Sequence, residues 1–235
     1  MAENEANNAP ITPRKLLVII VEVILIILIA MVAVGCVQMY WIAPIAVDGT
    51  SMEDTLHDKD KVYINKAYKT LARGDVVVTY VPSQYGRFDI SGYSEDWWEY
   101  TGENEDSQRC PASRKKTFDD FLHFLPFVSG NSASDNPQSE DGYYLIIKRI
   151  VGIPNDTIEI DHGVLYVNGE RESRAALATY DRDYPPHVLG EGEYFVLGDN
   201  RSVSHDSHFY GPIRANWIYG KVTWAFVSGK LKTVI

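Results

Sequence analysis

The sequence predicts an all-β protein of mostly antiparallel sheets, preceded by one N-terminal transmembrane helix. Three observations predict it. A single unbroken apolar run, Leu16 to Val37, stands near the amino terminus. After it come short segments in which apolar and polar residues alternate, separated by Gly, Asn and Asp turn signals. Beyond the apolar run, helical periodicity is scarce, so the soluble part has strands to pack and few helices to cover them.

The apolar run has 22 residues and one charge, Glu22, and a bilayer-crossing helix needs roughly 20. Arg14 and Lys15 precede it, and no Lys or Arg follows until Lys59. The positive-inside rule therefore puts residues 1–15 in the cytoplasm, the helix at 16–38 and everything from 39 to 235 outside. Tyr40 and Trp41 fall where an interfacial aromatic belt belongs. The run is too long for the core of a cleaved secretory signal, about 7–15 residues. The Gly35-Cys36 pair in "AVGC" fits a lipid-attachment site, but Ala33 stands where a larger aliphatic is usual.

The strands follow in order. "KVYINKAY" (Lys61 to Tyr68), "GDVVVTYV" (Gly74 to Val81) and "GYYLIIKRIVGI" (Gly142 to Ile153) are β-prone runs. "DTIEIDHGVLYVNGE" (Asp156 to Glu170) reads as a hairpin closed by His-Gly, with a further turn at Asn-Gly. "GEYFVLGDN" (Gly192 to Asn200) and "GKVTWAFV" (Gly220 to Val227) complete the set. About residues 84–141 lack alternation and read as an insertion into the β-domain, with an acidic, Trp-bearing part and a low-complexity linker.

Composition removes some functions. Net charge is -10, from 32 acidic against 22 basic residues, which argues against nucleic acid as a partner. The two cysteines, Cys36 and Cys110, sit in an apolar run and a polar stretch, and form neither a disulfide framework nor a zinc spacing.

Chemistry is suggested in three places. Ser51 lies in the turn "GTSM", a few residues past the apolar run, and a serine hydroxyl becomes a nucleophile only beside a base. Lys148 stands inside the aliphatic "YYLIIKRIVG". Turned inward it is desolvated, which favours the neutral amine that can act as a base. Turned outward it is an ordinary solvated lysine. The loop "GDNRSVSHDSHFYGPI", Gly198 to Ile213, is crowded with hydroxyl, amide and carboxylate groups that can orient a base or simply make a polar turn. His57, or His205 with Asp206, leaves a Ser-His arrangement formally open.

In this order, the anchor, "GTSMEDTL", "RGDVVV", "IIKRIVGIPND" and "GDNRSVSHDSHFYG" resemble the boxes of the bacterial type I signal peptidases, membrane-anchored serine proteases with a Ser-Lys dyad. The resemblance covers about residues 15–82 and 142–228. It implies that Ser51 is the nucleophile and Lys148 the general base that later protonates the leaving amine. It also implies that Ser204 hydrogen-bonds the lysine amine, that Asp199 and Asp206 are structural acids of the loop, and that the Ser51 N–H is an oxyanion donor. Met52 and Leu56 are expected to line the substrate pocket, with Ile146 and Ile147 beside them. The implied substrates are signal peptides of secreted preproteins with small residues at the first and third positions before the cut. The implied surroundings are membrane lipid, and no cofactor or metal is implied.

The chain departs from the family pattern at Asp54, where proline is usual, at His208, where arginine is usual, and at Asn155-Asp156. Gly49, two before the serine, marks a subtype without a second side-chain oxyanion donor there. A His208–Asp206 pair is expected to weaken above neutral pH. The alternative function on the same scaffold is a catalytically weak or non-catalytic, membrane-anchored assembly or binding factor. A narrower form of the leading reading is a dedicated peptidase whose insertion selects its preproteins.

Overall fold

The computed structural model describes residues 12–82, 143–172, 183–227 and 229–234. The insertion expected at about 84–141 and the polar tail before residue 12 lie outside the described residues.

Helix α1 runs Pro13–Tyr40, 28 residues, about 42 Å at 1.5 Å per residue. It begins earlier than the apolar run because Pro13 occupies the first turn, where its missing N–H costs nothing. It is long and apolar enough to cross a membrane, and its Leu, Ile and Val side chains are exposed along its length. Only Gly35 and Met39 are buried.

Among the described residues, twelve strands make two antiparallel sheets. They are β1 (Ile42–Ala46), β2 (Lys61–Asn65), β3 (Val76–Pro82), β4 (Tyr143–Gly152), β5 (Thr157–Asp161) and β6 (Val164–Val167). Then come β7 (Glu170–Arg171), β8 (Tyr184–Val188), β9 (Glu193–Leu197), β10 (Ile213–Arg214), β11 (Ile218–Val227) and β12 (Lys230–Thr233). The larger sheet has the order β1-β2-β11-β3-β4-β9-β10, with β12 pairing β11, and the smaller has β7-β6-β5-β8. A one-turn helix, α2 (Ser207–Tyr210), lies between β9 and β10.

The predicted hairpin forms as its turn residues dictate. His162 and Gly163 take φ 47° and 76°, and Asn168 and Gly169 take 56° and 78°, the left-handed pairs that match strand twist. "KVYINKAY" ends early at Asn65, whose Oδ1 accepts from the Ala67 N–H at 2.9 Å, a side-chain turn that stops the ladder. β1 and β8 escape the sequence reading for a common reason. Each contains proline, Pro44 in one and Pro185-Pro186 in the other, and each lies at a sheet edge where the missing N–H is harmless.

The described residues pack three apolar clusters. One lies between the sheets, around Ile158, Ile160, Leu165, Phe195 and Leu197. The other two cover opposite faces of the large sheet. Val62, Ile64, Val76 and Val78 join Met52 and Leu56 on one face. Val77, Ile150, Val196 and Ile213 join Trp217 on the other. Each fully buried Ile or Leu contributes roughly 1.5–3 kcal/mol of transfer free energy, and strands β3 and β4, interior to the large sheet, give side chains to the clusters on both of its faces.

Candidate active site

Ser51 sits where β1 has left the sheet and the chain turns back toward β2. Residues 50–56 form successive tight turns, with Glu53 N donating to Thr50 O at 3.1 Å and Leu56 N to Met52 O at 2.8 Å. The turn is entered through Gly49 at φ 92°, whose N–H donates to Asp58 Oδ1 at 2.9 Å. Met52 and Leu56, 1% and 0% exposed, pin the turn into the core and so fix where Ser51 points. Asp54, at the position where proline is usual, takes φ 87°, which a proline ring locked near −65° cannot adopt. The departure therefore accompanies a different local backbone.

Lys148 comes from the middle of β4, opposite Val77 of β3. Its residue is 4% exposed. Its Nζ donates to Ser51 Oγ at 2.7 Å and to Ile147 O at 3.1 Å. Burial lowers its pKa to about 8, against the opposing pull of the Asp206 and Asp199 carboxylates. An ammonium loses hydration inside a protein and regains little from two aspartates already bound elsewhere. A substantial neutral fraction at neutral pH follows. Among the described residues, no acceptor takes the Ser51 N–H, so that donor is available to an oxygen outside the chain.

The loop after β9 holds the serine turn from its other side. Asn200 N donates to Ser51 O at 3.0 Å, and its Nδ2 to Thr50 O at 3.2 Å. Gly198 makes this approach possible: a Cβ there would lie 2.5 Å from Ser51 O and 2.2 Å from Ser204 Oγ. Asp199 is bound by Arg149, with Nε to Oδ1 at 2.8 Å and the terminal nitrogen to Oδ2 at 2.7 Å. Both side chains are 4% exposed. Thr55 Oγ1 donates to the same carboxylate at 2.5 Å. One bidentate pair thus joins the lysine strand, the serine turn and the loop.

Asp206 is buried. Burial pushes its carboxyl up, but hydrogen bonds from His208 and the Gly198 N–H, with the Ser204 hydroxyl close by, outweigh it and hold the group below the usual range. His208 Nδ1 lies 2.6 Å from Asp206 Oδ1, and Gly198 N donates to Oδ2 at 2.8 Å. The side chain expected to pair with the aspartate does so.

One expectation is corrected. Ser204 does not hydrogen-bond Lys148; its Oγ is buried and makes no hydrogen bond of good geometry, lying instead close enough to Asp206 to favour that carboxylate. The lysine amine is held by Ser51 and Ile147 O. Ile147 borders the cluster of Met52 and Leu56, and Ile146 borders the cluster that holds Val77, the strand partner of Lys148. Neither His57, which pairs with Asp60 at the surface, nor His205, stacked on Phe209, bonds Ser51.

Arg149, Thr55, Gly198 and Asn200 were given no role from sequence. A second cation next to Lys148 in an aliphatic run was the available signal, since a buried guanidinium requires a carboxylate. Asp161, His162 and Asp183, exposed around the β5–β6 turn, are the one group among the described residues with metal-ligand proximity, and they share no residue with this site.

Residues 20–227 match the family described as signal peptidase, peptidase S26. A signal peptidase I of Bacillus amyloliquefaciens is 28% identical over 192 residues, 76% of this chain and 71% of that protein. A signal peptidase IB of Staphylococcus aureus is 34% identical over 116 residues, 41% of this chain and 59% of that protein. A crystal structure of a signal peptidase I from Enterococcus faecalis, 20% identical, aligns with 67% of this chain and all of its own at a TM-score of 0.34, a likeness too slight to bear on the fold.

Proposed function

The chain belongs to the signal peptidase family, peptidase S26, and on that premise we propose that it is a serine endopeptidase cutting signal peptides with Ser51 as nucleophile and Lys148 as general base. One contact above all supports this reading: the 2.7 Å hydrogen bond between Lys148 Nζ and Ser51 Oγ in a site that excludes water from the amine.

The chemistry follows from the lysine's burial. The neutral amine accepts the Ser51 proton as Oγ attacks the scissile carbonyl, and the carbonyl carbon becomes tetrahedral. The negative oxygen forms near the unclaimed Ser51 N–H, which donates to it. The ammonium then gives its proton to the departing amine, and the peptide bond breaks to leave an acyl-enzyme. Lys148, neutral again, takes a proton from the water that attacks the ester, and gives it to Ser51 Oγ as the ester C–O bond breaks and the new carboxylic acid leaves. A histidine is not needed, because desolvation already brings the amine to a pKa of about 8.

The family and the apolar helix fit a membrane-anchored protein. We place the amino terminus in the cytoplasm and Ser51 on the outer side, since Arg14 and Lys15 flank the helix at its start. A substrate leaving the bilayer beside α1 then meets Ser51 eleven residues past the helix end at Tyr40. We assign Met52, Leu56 and Ile147, which pack in one apolar cluster, to the side of the site that receives small side chains, as in Ala-x-Ala sites.

The test is cleavage of a preprotein with an Ala-x-Ala site in lipid by the unmodified chain, Ser51→Ala and Lys148→Ala. Cutting by the unmodified chain and background rates for both variants support the dyad. Loss with Ser51→Ala alone assigns the base to another residue. No cutting by the unmodified chain on any such substrate overturns the proteolytic reading.

A further inference from the structure

The anchor meets the catalytic domain at a junction made by a residue outside the reacting groups. The last carbonyls of a helix lack intrahelical partners and carry the negative end of its dipole. Helix α1 has no basic residue in its own last turn. Lys66, the residue after β2, supplies the cation from elsewhere in the chain. Its Nζ donates to Gln38 O at 2.9 Å and to Met39 O at 3.4 Å, and its backbone N–H donates to Trp41 O at 2.7 Å. The same ammonium lies 4.4 Å from the ring centroid of Tyr219 on β11, a favourable cation–π distance.

This geometry matters because the connection is short. α1 ends at Tyr40 and β1 starts at Ile42, so one residue, Trp41, separates a membrane helix from the large sheet. Ile42 pairs with Asn65, and Asn65 with Lys221, which puts Lys66 at the corner where β1, β2 and β11 meet the helix. Of the helix, only Gly35 and Met39 are buried, and the apolar grip on the sheet is correspondingly small. The directional contacts from Lys66 tie the end of the helix to the corner of the sheet.

We propose that Lys66 is a positioning residue that fixes the tilt and height of the sheet over the bilayer, and so presents Ser51 to substrates held in the same membrane. The proposal rests on the reading that α1 spans the bilayer and that Ser51 and Lys148 cut signal peptides. A membrane-held substrate approaches in a fixed orientation, and a site free to reorient loses the advantage of pre-alignment. A soluble peptide arrives from any direction and is indifferent to the tilt.

The experiment uses the full chain in phospholipid vesicles, unmodified and as Lys66→Met, which keeps the apolar stem and removes the donors, and as Lys66→Arg. Two substrates are compared: a preprotein inserted in the same vesicles, and a soluble peptide spanning its cleavage site. Lys66→Met is expected to lower kcat/KM on the inserted preprotein roughly tenfold, the order of one lost charge-assisted hydrogen bond. It leaves the soluble peptide unchanged, and Lys66→Arg restores the preprotein. Equal loss on both substrates, or no loss on the preprotein, overturns the proposal.

A second readout does not depend on activity. A dye attached through Val188→Cys, at a residue 62% exposed on β8, in a chain carrying Cys36→Ser and Cys110→Ser, transfers energy to acceptors in the lipid headgroups. Lys66→Met is expected to broaden the distance distribution; an unchanged distribution overturns the proposal. If the unmodified chain cuts neither substrate, the proteolytic reading fails and the distance measurement still decides the role of Lys66.

Discussion

Replacing Lys148 with methionine separates what the lysine does for catalysis from what it costs the fold. Its pKa falls from 10.5 to about 8 through burial. A drop of about 2.5 units raises the neutral fraction near pH 7 roughly 300-fold, to about one molecule in ten. The same drop is a stability cost of about 3 kcal/mol, because the unfolded chain binds the proton more tightly. The cost is fully present below pH 8 and disappears as pH rises from about 8 toward 10.5, where both states release the proton.

Lys148→Met removes the proposed base, and cleavage is expected to fall by about 10²–10⁴. It also removes the desolvation cost while leaving Ser51 Oγ without its partner, a loss of about 1 kcal/mol. The variant should therefore be more stable by about 2 kcal/mol at pH 7, and lack the rise in stability between pH 8 and 10.5. The assays are cleavage against pH in lipid, and denaturant unfolding in detergent followed by tryptophan fluorescence at pH 7 and pH 10. A wild-type rate whose midpoint lies near 10.5 rather than about 8 refutes the desolvated base. So does a variant no more stable than wild type at pH 7, or one that still cuts at the full rate.

Gly198→Ala drives a methyl against Ser51 O and Ser204; overpacking of this kind costs about 1–3 kcal/mol, and displacement of the serine should lower kcat by more than it changes KM. Asp199→Asn leaves the buried Arg149 guanidinium without its counter-charge and should cost about 3–5 kcal/mol, read as a lower denaturation midpoint; a shift under about 1 kcal/mol means the pair is solvated. Asp54→Gly relieves a φ of 87° and is expected to stabilise by about 0.5–1 kcal/mol, whereas Asp54→Pro destabilises, both measured as shifts in Tm. As pH falls below the ordinary carboxylate pKa of about 4, stability contributed by ionised Asp206 is lost. Asp206→Asn should therefore flatten the acid limb of the stability profile.

The chain's own sequence determined whatever rests on near neighbours. A 22-residue run with a single charge is long and apolar enough to cross a bilayer, so Leu16 to Val37 was legible as a helix before any packing was known. His162-Gly163 and Asn168-Gly169 dictated their turns because those backbone angles are cheap for those residues. The order of five motifs carried the family, and with it Ser51 and Lys148 as a pair. Tertiary structure decided what depends on which face a side chain occupies and what waits there. β4 is apolar on both faces, so its pattern could not say whether Lys148 was buried; the cover given by the serine turn and the β9 loop settles that. Ile146 and Ile147 are neighbours in sequence and part company in space through strand alternation. Arg149 and Asp199 are fifty residues apart, and only the pairing of β4 with β9 turns two unremarked charges into one buried bond. Ser204, placed against Asp206 instead of the lysine, and Lys66, placed against the end of α1, are decided in the same way. Each depends on a distance between strands, and no local rule encodes that distance.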